Sequence, residues 1–155
     1  MLPEHYFNAW TESRTITYQI ASTMKEDSHF KIDFKPHPEM KSFGKTIGHL
    51  VGSIYHQLKN YMKMDIQFPE HLKGKEINHE VFVQELDKTT KMVKDLFSSL
   101  TLDDLEQEAY FWEPTKTSYS KGWVVMNLIA HERWTQAQLK MYLKVMGCDT
   151  SKIGH

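Results

Sequence analysis

The sequence holds a single cysteine, Cys148, which excludes an internal disulfide and any cysteine-rich zinc site. It has no run near the ~20 consecutive apolar residues that a membrane-spanning helix needs. Met1 to Trp10 lacks the basic start and continuous apolar stretch of a secretory signal. An excess of one charge is missing as well, since 19 Lys and Arg stand against 20 Asp and Glu. That balance gives no electrostatic basis for nucleic acid or an anionic membrane as main partner. The sequence also lacks a nucleophilic Ser–His–Asp set and a phosphate-binding glycine loop. The lone cysteine, with no targeting or membrane-spanning segment in view, points to a cytoplasmic protein.

Glycine and proline are sparse, seven and five in 155 residues, and they fall between long periodic segments. Such punctuation suits an all-helical chain, and the length suits one domain. Pro3 fits a first-turn position, and Trp10, Thr17, Ile20, Ala21 and Met24 recur at helical spacing, predicting a helix from about Pro3 to Met24. Phe30, Ile32 and Phe34 alternate with charged residues and stop at Pro36, predicting an extended crossover that is not part of a sheet. Ser42 is a good cap for a second helix, in which Ile47, Leu50, Val51, Ile54, Leu58 and Tyr61 keep the period to about Met64. Asn78 opens a third helix that reaches about Leu100, and Thr101 to Asp104 reads as a cap for a short helical turn. Tyr110 to Lys116 carries Pro114 and reads as loop. The fourth long helix runs from Ser120 to Met146, with Gly147 as its stop. Four long amphipathic helices and no strand pair predict a four-helix bundle.

Nine histidines are more than composition requires. His5, His29, His37, His71, His79 and His155 fall at helix starts, in loops or at the terminus, where a solvated or capping role suffices. His49, His56 and His131 lie within helices. His131, Thr135 and Gln138 project along the edge of the stripe made by Val124, Leu128, Leu139, Tyr142 and Met146, so they face the interior or its mouth. A polar group there needs a hydrogen bond or a metal, because burial without a partner costs ~1–3 kcal/mol. A hydrogen-bonded core histidine is the plain alternative. His49 lies opposite the Ile47/Leu50/Ile54 stripe, beside Gly52, Ser53 and His56. That face is either solvent-exposed, or a cleft opened by small residues through which His49 meets the fourth helix. His56 is seven residues further, a rise of ~10.5 Å, so it could join His49 on one ion only with strain.

Two stretches resemble the DinB-like family of metal-dependent enzymes. The first, Phe34 to Leu50, is similar to the segment leading into that family's second helix, and places the first metal-binding histidine on His49. The second, His131 to Gly147, is similar to the final-helix pattern, with His131, Glu132, Ala137, Gln138, Leu143 and Gly147 matching. The resemblance implies a DinB/YfiT-like bundle with a divalent ion, zinc or nickel, on three histidines, acting on a small molecule as a thiol transferase or hydrolase. In that chemistry the ion lowers the pKa of a bound thiol or water. The pattern's second histidine, four residues after the first, falls here on Thr135, a poor ligand beside imidazole.

Two further roles follow from the same resemblance. Glu132 or Gln138 would orient a ligand beside the ion, and a homodimer would use Gly48 and Gly52 for close helix approach. The competing expectation is a non-catalytic protein that has lost the metal, either structural or holding an apolar or aromatic small molecule in a cleft lined by Trp134, Tyr142 and Trp123.

Overall fold

A computed structural model describes residues 2–154, so His155 lies outside the described residues. Helix α1 spans Pro3–Glu26, α2 Phe43–His56, α3 His79–Ser99, α4 Leu102–Glu106 and α5 Lys121–Met146. Among the described residues no helix is long and apolar enough to cross a membrane.

The predicted caps form. Ser42, Asn78, Thr101 and Ser120 each accept a backbone N–H of the first turn that follows them. Gly147 ends α5 at φ 87°, a left-handed conformation that costs glycine little. The crossover after α1 is a series of turns outside any sheet, as its prolines require. α2 stops short of Met64: after His56 the chain continues as one π-helical turn, Gln57–Tyr61, closed by Met62 N–H donating to the Gln57 carbonyl at 3.0 Å.

The loop expected after the short helical turn is also corrected. Tyr110 to Lys116 is no plain loop, because strands β1 (Glu108–Trp112) and β2 (Thr117–Ser120) pair antiparallel, with a bulge between Glu108 and Tyr110. Aromatic residues favour the extended backbone. Pro114, which suggested a loop, sits in the single 3-10 turn between the strands, and Lys116 takes φ 54° to close it. Tyr61, Tyr110 and Tyr119 then stack in series, with ring centroids 4.0 and 5.0 Å apart, and Trp123 lies against Tyr119. This ladder fastens the hairpin to the end of α2.

α1 packs on α5 and α3, and α2 packs on the same two helices from the other side. Their apolar faces meet in two clusters. Phe43, Ile47, Phe82, Leu86 and Leu139 centre one, and Trp10, Leu58, Val93, Val124 and Leu128 the other.

Between them runs a buried polar seam. Arg14 of α1 and Glu132 of α5 are 2% and 1% exposed. Arg14 Nη2 donates to Glu132 Oε2 at 3.1 Å, and Nε lies 3.0 Å from Oε1 in an ion-pair contact off the hydrogen-bond axis. Thr17 Oγ1 donates to Glu132 Oε1 at 2.7 Å, and Gln136 Nε2 donates to Thr17 Oγ1 and to the Ser13 carbonyl. Arg14 Nη1 reaches Thr89 on α3 at 3.3 Å. Burial lowers the guanidinium pKa, against the attraction of Glu132. The seam satisfies most of its own lone pairs and protons, the condition under which a buried pair is tolerated.

Candidate functional site

α2 and α5 run antiparallel, and their contacts descend one turn at a time. Asn127 Nδ2 donates to Gln57 Oε1 at 2.9 Å; one turn along, His131 meets Ser53 and His49. Gly48 and Gly52 make room on the neighbouring face. A Cβ at Gly48 would lie 3.1 Å from the Lys75 carbonyl, and one at Gly52 would lie 3.3 Å from the Phe68 ring. The close approach expected of these glycines is therefore made within the chain, by the segment after α2, and they are not free for a dimer contact.

The protons in the histidine pair can be assigned from the hydrogen bonds. Ser53 Oγ donates its only proton to the Leu50 carbonyl at 2.8 Å. It can then only accept from His131 Nδ1, 3.0 Å away. His131 thus carries its proton on Nδ1 and leaves Nε2 bare. That bare nitrogen lies 3.2 Å from His49 Nε2, with ring centroids 5.0 Å apart and planes at 60°, so His49 Nε2–H donates to it. Burial, then repulsion from His49 whenever that ring is protonated, then Lys41 push the His131 pKa down to about 4. Burial and Lys41 lower His49 in turn. Both rings are neutral near pH 7.

The pair opens onto a cleft of about 690 Å³ between α2, the π-turn, α5 and the segment after α2. Lys41, Lys45 and Lys73 line it, and no carboxylate does among the described residues. Lys73 is paired with Glu70 at 2.5 Å, whereas Lys41 and Lys45 have no carboxylate partner among the described residues. Gln57 is 3% exposed, and with Oε1 engaged by Asn127 its N–H2 has no protein acceptor among the described residues. Tyr61 and Phe68 supply apolar wall. The cleft is rich in donors and poor in acceptors.

No family model matches the chain, and no curated protein matches it. Its coordinates are similar to the crystal structure of a DinB-like protein from Bacillus cereus ATCC 10987, with a TM-score of 0.76 and 16% identity over 98% of this chain and 97% of that one. This chain has a DinB-like fold.

Of the residues that the resemblance assigned to a site, the DinB-like fold brings His49 and His131 together and leaves the others apart. Thr135 is fully buried and donates to the His131 carbonyl at 2.9 Å, an i−4 bond within its own helix. His56 is exposed and bonded to Asn60 and Tyr61 instead of converging on the pair, although it lines the same cleft. Glu132 cannot orient a ligand, because its carboxylate is spent on Arg14 and Thr17 in the core. Tyr142 is core as well, packed on Phe34 and Phe43, and its hydroxyl donates to the Lys41 carbonyl at 3.1 Å. It anchors the backbone of a cleft lysine without lining the cleft. Trp134 lies edge-on to His131 but is 59% exposed, Trp123 belongs to the aromatic ladder, and Gln138 is half-buried outside the cleft.

Ser53, Gln57, Asn127, Lys41 and Lys45 were not marked by periodicity. The Ser53–His131 bond depends on which turn of α5 lies opposite α2, and no local pattern states that. Cys148 is buried, and burial and then Asp27 raise its thiol to about 11.

The three-histidine centre implied by the resemblance is one ligand short. Two neutral Nε2 atoms 3.2 Å apart match one edge of a tetrahedral site, about 3.3 Å for bonds of 2.0–2.1 Å. Among the described residues no group of three or more His, Cys, Asp or Glu could complete such a site.

The depressed imidazole gives a pH test. The folded His131 pKa lies below the ordinary value of 6.5, so its contribution to stability is complete above pH 6.5 and is lost as pH falls toward 4. A proton NMR titration of the ring is expected to show a midpoint near 4 for His131, and a midpoint near 6.5 would refute the buried placement.

Proposed function

We propose that the chain binds a small anionic molecule in the α2–α5 cleft, with the His49–His131 pair as the polar contact at its mouth. In this reading the long helices form a four-helix bundle whose α2–α5 seam opens as the cleft, in a cytoplasmic protein. The observation that carries the proposal is the lining: among the described residues, two unpaired lysines, a free Gln57 amide and no carboxylate. Such a wall attracts and orients carboxylate or phosphoryl oxygens, and its positive field raises the local concentration of anions. The volume falls within the range of small-molecule sites, about 300–1,000 Å³. His131 Nε2 is a bare acceptor held in place by Ser53, so a ligand that displaces His49 can donate to it.

The test is an NMR titration of metal-free protein with malonate, and with neutral malonamide, at constant ionic strength. Malonate is expected to shift the Gln57 side-chain amide and the His49 ring saturably, and malonamide is not. Lys41→Glu with Lys45→Glu should weaken the response at least tenfold. An equal response to malonamide would refute the anionic reading.

A second reading, a divalent-metal enzyme of the thiol transferase or hydrolase type, is favoured by the separation of the two Nε2 atoms alone. Two imidazoles do not make the three-ligand centre of a catalytic zinc site. Elemental analysis of protein purified without added metal is expected to find little zinc or nickel in the native chain and more in Thr135→His. Near-stoichiometric metal in the native chain, lost in His49→Ala or His131→Ala, would establish the enzyme reading instead.

A further inference from the structure

The cleft changes character along its length. The segment after α2 runs back along that helix, so its contacts give the order of the walls. Ile77 N–H donates to the Gly44 carbonyl at 3.3 Å, a Cβ at Gly48 would meet the Lys75 carbonyl, and one at Gly52 would meet the Phe68 ring. Descending α2, the cleft passes Lys41 and Lys45, then the histidine pair, then Phe68, Gln57 and Tyr61. From Lys45 to His56 the helix rises about 16 Å at 1.5 Å per residue, and the π-turn carries Tyr61 further. A volume of about 690 Å³ drawn out over that length is a groove, shaped for an elongated ligand.

The two ends call for different chemistry. At the first, Lys41 and Lys45 are exposed and have no carboxylate partner among the described residues. The charge of Lys41 disfavours protonation of both His49 and His131, so its field covers the histidine pair. An anion is the group that this end lacks.

The far end is aromatic. Phe68 stands edge-on to Tyr55 at 6.1 Å and rests on Gly52, whose missing side chain admits the ring. Tyr61 is the last ring of the stack that runs through Tyr110 and Tyr119, with interplanar angles of 12° and 17°. The exposed His56 ring stands perpendicular to it at 5.2 Å. Phe68 and Tyr61 are both half-buried, and both line the cleft. A stack that ends in a cleft is a platform on which one more planar ring continues the same parallel geometry. Between the ends, one turn past Ser53, the Gln57 N–H2 is a donor without a protein acceptor among the described residues. It suits an oxygen on the ligand.

The geometry points to an arylalkyl acid as the occupant: a carboxylate or phosphoryl group at Lys41 and Lys45, and a planar aromatic ring against Tyr61 and Phe68. This deepens the anionic reading of the cleft and rests on it. An aliphatic acid satisfies the first end and leaves the aromatic walls unmatched. A neutral aromatic molecule lays carbon against the ammonium groups, which need hydrogen bonds or an opposite charge once water is displaced. An aromatic pair adds about two- to tenfold in affinity beyond the area that it buries.

Isothermal titration calorimetry of the metal-free full chain with hexanoate, 6-phenylhexanoate, neutral 6-phenylhexanamide and malonate tests the inference. 6-Phenylhexanoate is expected to bind at least tenfold tighter than hexanoate and than 6-phenylhexanamide. In Tyr61→Leu the ratio between the two acids should fall at least threefold. That variant also takes a ring from the stack, so the placement is read on the native chain by NMR. Cross-relaxation from the ligand's phenyl protons to the Tyr61 and Phe68 rings is expected there. Binding of malonate and hexanoate with no gain from the phenyl group would overturn the arylalkyl class and leave the anionic cleft standing. No binding of malonate or of either acid would overturn both. An amide that binds as well as the acid, or phenyl contacts to Phe7 and Phe97 in the groove at the start of α1, would overturn the two-ended placement.

Discussion

The rotation of α5 depends on one buried ion pair. Glu132 has a single environment in which its charge is tolerable, against Arg14 and Thr17 of α1. Turning α5 by even one residue would carry that carboxylate into hydrocarbon and strand Arg14, which Trp10 covers at 4.7 Å. An apolar stripe can slide by a fraction of a turn at little cost, whereas a charge pair with hydrogen-bonded neighbours cannot. The pair therefore selects one orientation out of several that the apolar residues alone would accept.

The roles of three consecutive residues follow from this orientation. At 100° per residue, Glu132 toward α1 sends His131 toward α2 and Ala130 to solvent. His131 then finds Ser53 and His49, and Ala130, like Trp134, Ala137 and Met141, is exposed. Core, cleft and outer face are three sides of the same helix. Opposite it, the π-turn after His56 places Gln57 and Tyr61 along the cleft where a regular helix would have continued, a use to which such turns are often put.

Much of this architecture was legible in the sequence, for physical reasons that operate locally. Ser42, Asn78 and Ser120 announce helix starts because their side chains satisfy nearby N–H groups, and Gly147 announces an end. The meeting of His49 and His131 was legible only through the likeness to DinB-like sequences, because helix periodicity left the His49 face open between solvent and cleft. Glu132 was misplaced, because its match to that pattern suggested a site role while its partner Arg14 lies 118 residues away. The hairpin was missed because Pro114 argues against a strand centre but is tolerated in the turn. Tyr142 looked like pocket wall, yet its face is turned to Phe43 and its hydroxyl to the Lys41 backbone. For Glu132 and Tyr142 the deciding contact is long-range, whereas the hairpin is a local pairing across the Pro114 turn.

The Arg14–Glu132 pair is buried and mutually dependent, and the placement of α5 rests on it. Urea unfolding of Glu132→Gln tests it most directly, since the side chain keeps its shape and loses only its charge. A loss of about 3–5 kcal/mol is predicted, the cost of leaving a buried charge without its partner. A loss under about 1 kcal/mol, the range of exposed pairs, would contradict the account.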